Sequence, residues 1–131
     1  MYEEKINAYF DAPERRAELV EAISRLVRIR SVREEPLPGM PFGPGPAAAL
    51  AEGLKLAEEL GFATRNYDNY VGTADLNDKE TALHILCHLD VVGEGTGWTV
   101  TEPYVPKEVD GMLYGRGTDD DKGPVAAVLP A

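Results

Sequence analysis

Two short stretches carry residues that could do chemistry together. The first is H-L-D, residues 88–90, at the end of the apolar run "TALHILCHL". On a strand, side chains two apart point to the same side, so His88 and Asp90 emerge together where the run stops. An imidazole there can bind a metal through one nitrogen while a carboxylate orients the ring through the other. The second stretch is "GRGTDDDKGP", residues 115–124, with Asp119, Asp120 and Asp121 side by side between glycines. Adjacent carboxylates repel unless water screens them or a cation gathers them. Oxygen ligands together with imidazole suit zinc, manganese or cobalt. Glycines let a backbone approach an ion closely. Either motif alone has a plainer reading, a hydrogen-bonded histidine or a solvated acidic loop. His84, mid-run and without a partner in view, takes the plainer one. The two motifs together point to a metal site, which spacing alone does not prove.

Several elements must position these residues. Asp11 can cap a helix starting near Ala12, with Pro13 and Glu14 in its first turn. Leu19, Ala22, Ile23, Leu26 and Val27 then share one face, and Arg25, Arg28 and Arg30 suit its negative end. Residues 31–46 are rich in Pro and Gly and read as an irregular loop wrapping the domain. Pro46 opens a second helix with Leu50, Leu54 and Ala57 inward, and Gly61-Phe62 reads as a left-handed C-cap. "FATRNYD" and "YVGTADL" read as strands turning near Asp68 and Asn69. "TALHILCHL" reads as a strand covered on both faces. "YVPKEVDGMLYGRG" has a hairpin look, turning at Asp110-Gly111, and a further helix is expected after Pro124. The order predicts an α/β layer fold, whose sites form at the carboxyl ends of strands.

The totals narrow the function classes. A length of 131 residues, 44% of them hydrophobic, fits one domain or part of one with a real core. Acids outnumber bases 23 to 13, for a formal charge of -10. Such a chain is repelled by nucleic acid and by anionic membrane surfaces. Solubility explains most of that charge; some of the acids could gather to hold a cation. The single cysteine, Cys87, cannot form an internal disulfide, which suits a reducing compartment. The amino terminus has no apolar signal segment, and no apolar run nears the roughly 20 residues that span a bilayer. A cytoplasmic soluble protein is expected.

"HLDVV", then "GTGW", then "DGMLYGRGTDDDKGP" resemble the M20 family of metallopeptidases. The dipeptidase branch with the bacterial PepV-like enzymes is the most similar, and "PFGPGPAAALAEGLKLAEELGF" and "RNYDNYVG" extend the likeness over most of the chain. The resemblance implies a zinc-peptidase-like catalytic domain, a mixed sheet flanked by helices, of which residues 1–131 are the amino-terminal part. It implies two metal ions, usually zinc, with manganese or cobalt as alternatives, bridged by an aspartate and an activated water. By the same resemblance His88 is a ligand to one metal, Asp90 the catalytic carboxylate that orients it, and Asp120 the bridge. A cis peptide bond is implied between Asp120 and Asp121. Gly93 and Asp119 depart from the branch, which more often has proline and a small or apolar residue there.

The function implied is metal-dependent hydrolysis of dipeptides or short peptides. The family's catalytic glutamate, its remaining ligands and its smaller lid domain fall after Ala131, so this chain alone is expected to be inactive. Two alternatives stay open. One is another M20 amidohydrolase, such as an N-acyl amino acid deacylase. The other is a non-enzymatic interaction piece, since an α/β domain divided here leaves sheet edges through which it could self-associate.

Overall fold

Asp11 does not cap the helix that follows it. In the computed structural model, which describes residues 1–131, α1 runs Tyr2–Phe10 and α2 runs Pro13–Val27. Asp11 closes α1 instead, its N–H donating to the Asn7 carbonyl at 2.7 Å. Ala12 takes the N-cap place of α2 in an extended conformation, and Pro13 presets the first turn. α1 has no counterpart among the expected elements. Its apolar residues Tyr2, Ile6, Tyr9 and Phe10 recur at helical spacing, yet all four remain exposed.

The α2 face forms as its spacing predicts. Leu26 and Val27 are fully buried, and Leu19, Ala22 and Ile23 pack beside the cluster of Leu26, Leu56 and Ala126. α3, Pro44–Glu59, starts two residues before Pro46, which lies buried in its first turn. Ala49, Leu56 and Ala57 face inward, while Leu50 and Leu54 lie over Gly72, where an added Cβ would meet them at 2.8 Å. Gly61 ends the helix at φ 91°, with its N–H on the Glu58 carbonyl (2.9 Å) and that of Phe62 on Ala57 (3.1 Å). This is the expected left-handed closure. Arg25 ties α2 to α3 through Glu52 and Glu59, each at 2.6 Å.

β1 (Ala63–Tyr67) pairs antiparallel with β2 (Val71–Asp75), and β3 (Lys107–Val109) with β4 (Met112–Tyr114). Both tight turns fall where expected, with positive φ at Asp68 and Asn69 and at Asp110 and Gly111. α4, Lys122–Val128, begins two residues before Pro124. The fold is α/β, with four helices and two separate two-stranded sheets rather than one mixed sheet. No helix is long and apolar enough to cross a membrane.

The buried strand expected over "TALHILCHL" is not formed. Residues 81–87 make no backbone-to-backbone hydrogen bond, and Leu83, Ile85 and Leu86 are 75%, 58% and 96% exposed. A strand needs a neighbour to take its N–H and C=O groups, and no other strand of the chain lies beside this one. Its composition suits a covered strand, but its surroundings do not supply the cover.

Leu26→Ala is expected to cost about 2–5 kcal/mol, the usual range for emptying a buried leucine site. Leu60→Ala, at a half-exposed position, is expected to stay within about 0.5 kcal/mol. Urea unfolding followed by helical circular dichroism checks both.

Candidate metal centre

Both chemical motifs are tied to residues 29–31, the segment just past the end of α2 and its C-cap Arg28. Ser31 is fully buried; its hydroxyl donates to the Leu89 carbonyl at 2.6 Å. The Ser31 carbonyl in turn accepts from the Val91 N–H at 3.1 Å. These bonds grip the chain on either side of Asp90. On the other motif, Lys122 is fully buried and its ammonium donates to the Ile29 carbonyl at 2.6 Å. The Ile29 carbonyl lies two residues past Val27, close to the negative end of α2, where a cation is well placed. Burial pushes the Lys122 pKa down to about 8. Gly117, at φ 90°, lets the acidic loop lie against the first motif, since a Cβ there would meet Val91 at 2.9 Å and Lys122 at 3.0 Å.

This brings His88 and Asp120, far apart in sequence, face to face. The His88 Nε2 stands 2.9 Å from Asp120 Oδ1. Its Nδ1 lies 3.1 Å from the Asp90 main-chain carbonyl and 3.4 Å from the Asp90 carboxylate. Asp90 therefore holds the ring chiefly through its backbone. Both ring nitrogens face acceptors, Asp90 at Nδ1 and Asp120 at Nε2, so the protonated ring satisfies both and the neutral ring leaves one lone pair against an oxygen. A lone pair facing a carboxylate oxygen is repulsive unless a cation, a proton or a metal ion, lies between them. Burial disfavours the charged ring. The Asp90 carbonyl and carboxylate, Asp120 and Asp121 outweigh that and hold the His88 pKa above its ordinary value.

The three aspartates separate by geometry. Asp120 faces the imidazole. Asp121 turns the other way, and its Oδ2 accepts the His88 backbone N–H at 3.0 Å. The peptide bond between them is cis, as the resemblance implies. Asp119 is exposed to water. His84 is exposed as well. Burial, with the Asp121 charge, pushes the Cys87 thiol up, so it stays protonated at neutral pH and offers no thiolate.

The donors suit a divalent ion in type. Two ligands of a tetrahedral zinc at about 2.0–2.2 Å lie about 3.3–3.6 Å apart, so this pair, at 2.9 Å, would open by about half an ångström to take one. They are only part of a shell: no three His, Cys, Asp or Glu side chains gather around one point. The pair is open to water, with the His88 side chain 50% and that of Asp120 83% exposed. Beside it lies a cavity of about 240 Å³ lined by His88, Asp120 and Arg116 among others. Ser31 and Lys122, which position all of this, went unnoticed in the sequence. Ser31 looks like one more polar loop residue, and Lys122 looks like a counter-charge to its acidic neighbours.

Residues 84–131 match peptidase family M20/M25/M40. The chain is 38% identical over 119 residues to "Putative dipeptidase YtjP" of Bacillus subtilis, covering 89% of this chain and 26% of that protein. Proteins named "Putative dipeptidase" in Staphylococcus saprophyticus and Staphylococcus epidermidis are 37% and 36% identical over 133 residues, covering 100% of this chain and 27% of each. The chain thus spans about a quarter of the length of these relatives.

Ser31→Ala leaves the Leu89 carbonyl without its buried donor, which is expected to cost about 1–3 kcal/mol. Loosening is expected to centre on residues 88–91, where amide hydrogen exchange should speed up more than in α3. Exchange unchanged at Val91 would show that the serine does not hold the motif.

Proposed function

We propose that this chain, an M20 dipeptidase-like segment by its family match and its whole-length likeness to dipeptidase-named relatives, contributes part of a metal-dependent site that hydrolyses dipeptides or short peptides. The observation that carries this reading is His88 Nε2 facing Asp120 Oδ1 across 2.9 Å, with Nδ1 beside the Asp90 carbonyl. Residues 1–131 are assigned to the amino-terminal part of the catalytic domain. The activity itself is proposed for the longer polypeptide that the relatives' length represents, in the cytoplasm, where a lone thiol is stable.

His88 would serve as a neutral nitrogen ligand and Asp120 as a carboxylate ligand. The outer face of Asp120, open to water, leaves room for the second ion that the family likeness implies. Bound zinc, or manganese or cobalt in its place, would supply Lewis acidity to the scissile carbonyl and to a water nucleophile. With an ion at Nε2, Asp90 would keep the ring proton on Nδ1, leaving the Nε2 lone pair for the metal. Asp121 fixes the His88 backbone, and the carboxylates of Asp90 and Asp119 offset positive charge gathered nearby. Proton transfer to the leaving amine falls to groups outside residues 1–131, because no further carboxylate or imidazole converges on this point.

Zinc titrated into the 131-residue chain, followed by calorimetry, is expected to bind weakly at one place. His88→Ala and Asp120→Ala are each expected to weaken it by more than about tenfold, whereas Asp119→Ala leaves it nearly unchanged. Equal affinity in all four proteins would refute the ligand assignment. With zinc present, this chain is expected to show no dipeptide turnover, while the longer polypeptide turns over and loses activity to a chelator. Turnover by the 131-residue chain would refute the division of the site.

A further inference from the structure

Glu94 gathers four hydrogen bonds from four parts of the chain. Its carboxylate accepts from the Arg30 guanidinium at 2.5 Å and from the Tyr104 hydroxyl at 3.1 Å. Its main-chain carbonyl accepts from Trp98 Nε1 at 2.8 Å and from the Arg116 guanidinium at 3.0 Å. The Arg116 guanidinium also stands 5.3 Å from the Trp98 ring centre, within range of a cation–π contact. Arg116 belongs to the same loop as Asp120 and lines the same cavity as His88 and Asp120. It is the one permanently positive side chain in that lining, opposite three carboxylates, Asp90, Asp119 and Asp120.

The order of dependence can be read from what lacks support. The Arg116 Nε is buried without an acceptor. The guanidinium is therefore held by its bond to the Glu94 carbonyl and by the indole face. The loop bearing that carbonyl packs on little else, for a Cβ added at Gly93, Gly95 or Gly97 would meet nothing within 4 Å. Its fixed points are the Glu94 side-chain bonds to Arg30, which follows α2, and to Tyr104. The Arg30 guanidinium, the largest of several causes, pulls the Glu94 carboxyl down to about 2, so the anchor stays ionised at neutral pH.

We propose that Glu94 is a positioning residue for the cavity beside His88 and Asp120: by anchoring the loop to Arg30 and Tyr104, it sets Trp98 and the Arg116 guanidinium as that cavity's cationic wall. The Glu94 anchor stands on its own contacts. Its bearing on metal binding rests on the reading of His88 and Asp120 as ligands.

Trp98 is the chain's one tryptophan, so its emission reports on this wall alone. Emission and acrylamide quenching are compared in the wild-type chain, Glu94→Ala and Glu94→Gln, with folding checked by circular dichroism. Glu94→Ala is expected to shift emission to the red and raise the quenching constant by about twofold or more, as for a loop released to solvent. Glu94→Gln keeps an oxygen acceptor for Arg30 and Tyr104 and is expected to restore most of the wild-type signal. A folded Glu94→Ala chain with wild-type emission and quenching overturns the proposal, as does Glu94→Gln behaving like Glu94→Ala. If Glu94→Ala does not fold, Tyr104→Phe removes one anchor only; a red shift then supports the proposal and its absence overturns it.

Acid supplies a further reading. A depressed carboxyl contributes stability that is present above its ordinary value of 4.5 and is lost as pH falls toward about 2. The groups facing Glu94 are Arg30, Tyr104 and Arg116, with Glu34 beside Arg30. A Trp98 transition in that window is expected in the wild-type chain and absent from Glu94→Gln, the mimic of the protonated carboxyl. Its size is expected to be no larger than the small neutral-pH difference between those two chains; the same transition in both overturns the anchor. Cobalt titration completes the set. Affinity lowered about twofold or more in Glu94→Ala and recovered in Glu94→Gln supports the link to the ligands, and equal affinity in all three overturns that link. No cobalt binding by the wild-type chain would instead defeat the metal reading, leaving the Trp98 result to decide the anchor.

Discussion

The chain's exit from α2 carries everything that matters to the candidate site. Ile29 takes the buried Lys122 ammonium, Arg30 takes the Glu94 carboxylate, and Ser31 takes Leu89 and Val91. Three consecutive residues thus hold the acidic loop, the cavity wall and the histidine motif. α3 crowds the same point, since a Cβ at Gly45 in its first turn would lie 2.0 Å from the Arg30 carbonyl. Buried polar groups are costly unless paired, and each pairing here specifies one arrangement of segments far apart in sequence. The hydrophobic cluster of Leu26, Leu56 and Ala126 brings the helices together. The polar exit then sets the register of what hangs on them.

That register resolves a charge problem. Three consecutive carboxylates on one loop would repel if all pointed one way. The backbone instead sends Asp121 to the His88 N–H, Asp120 to the His88 ring and Asp119 to water. One histidine faces two of the acids, through different atoms. With the ring neutral, one lone pair is left against an oxygen, and that unfavourable element is confined to the ring's own contacts. A cation of the kind proposed would relieve it at that point rather than along the whole loop.

What the sequence disclosed follows from how local each determinant is. Asp68-Asn69, Asp110-Gly111 and Gly61 fix turns and a helix end through their own backbone preferences, and each is found where it was read. The boundary at Asp11 was misplaced because α1 claims that residue first, and α1 was missed because none of its apolar face is buried. The run at 81–89 was misread as a formed strand, for strand formation depends on a neighbour that composition cannot supply. Ser31 and Lys122 were invisible for a related reason. Their partners lie 58 and 93 residues away, and nothing adjacent marks either as an anchor. The meeting of His88 with Asp120 was likewise reached through family resemblance; H-x-D and a run of acids carry no information about distance.

The anchors also bear on how metal binding relates to folding. In small zinc modules the ligands are assembled by the ion, so binding energy is spent on ordering the chain. Here His88 is fixed by the Asp121 carboxylate at its N–H and by Ser31 at the neighbouring residues, and the segment after Asp120 is held by Lys122. None of those bonds involves an ion. The two proposed ligands therefore stand in place beforehand, and little ordering cost falls on the ion that joins them. What such preorganisation cannot supply is ligand number: two exposed donors remain a partial shell however well they are held. Ligand geometry set by the α2 exit and affinity set by the number of converging groups are separate properties, and residues 1–131 provide the first more fully than the second.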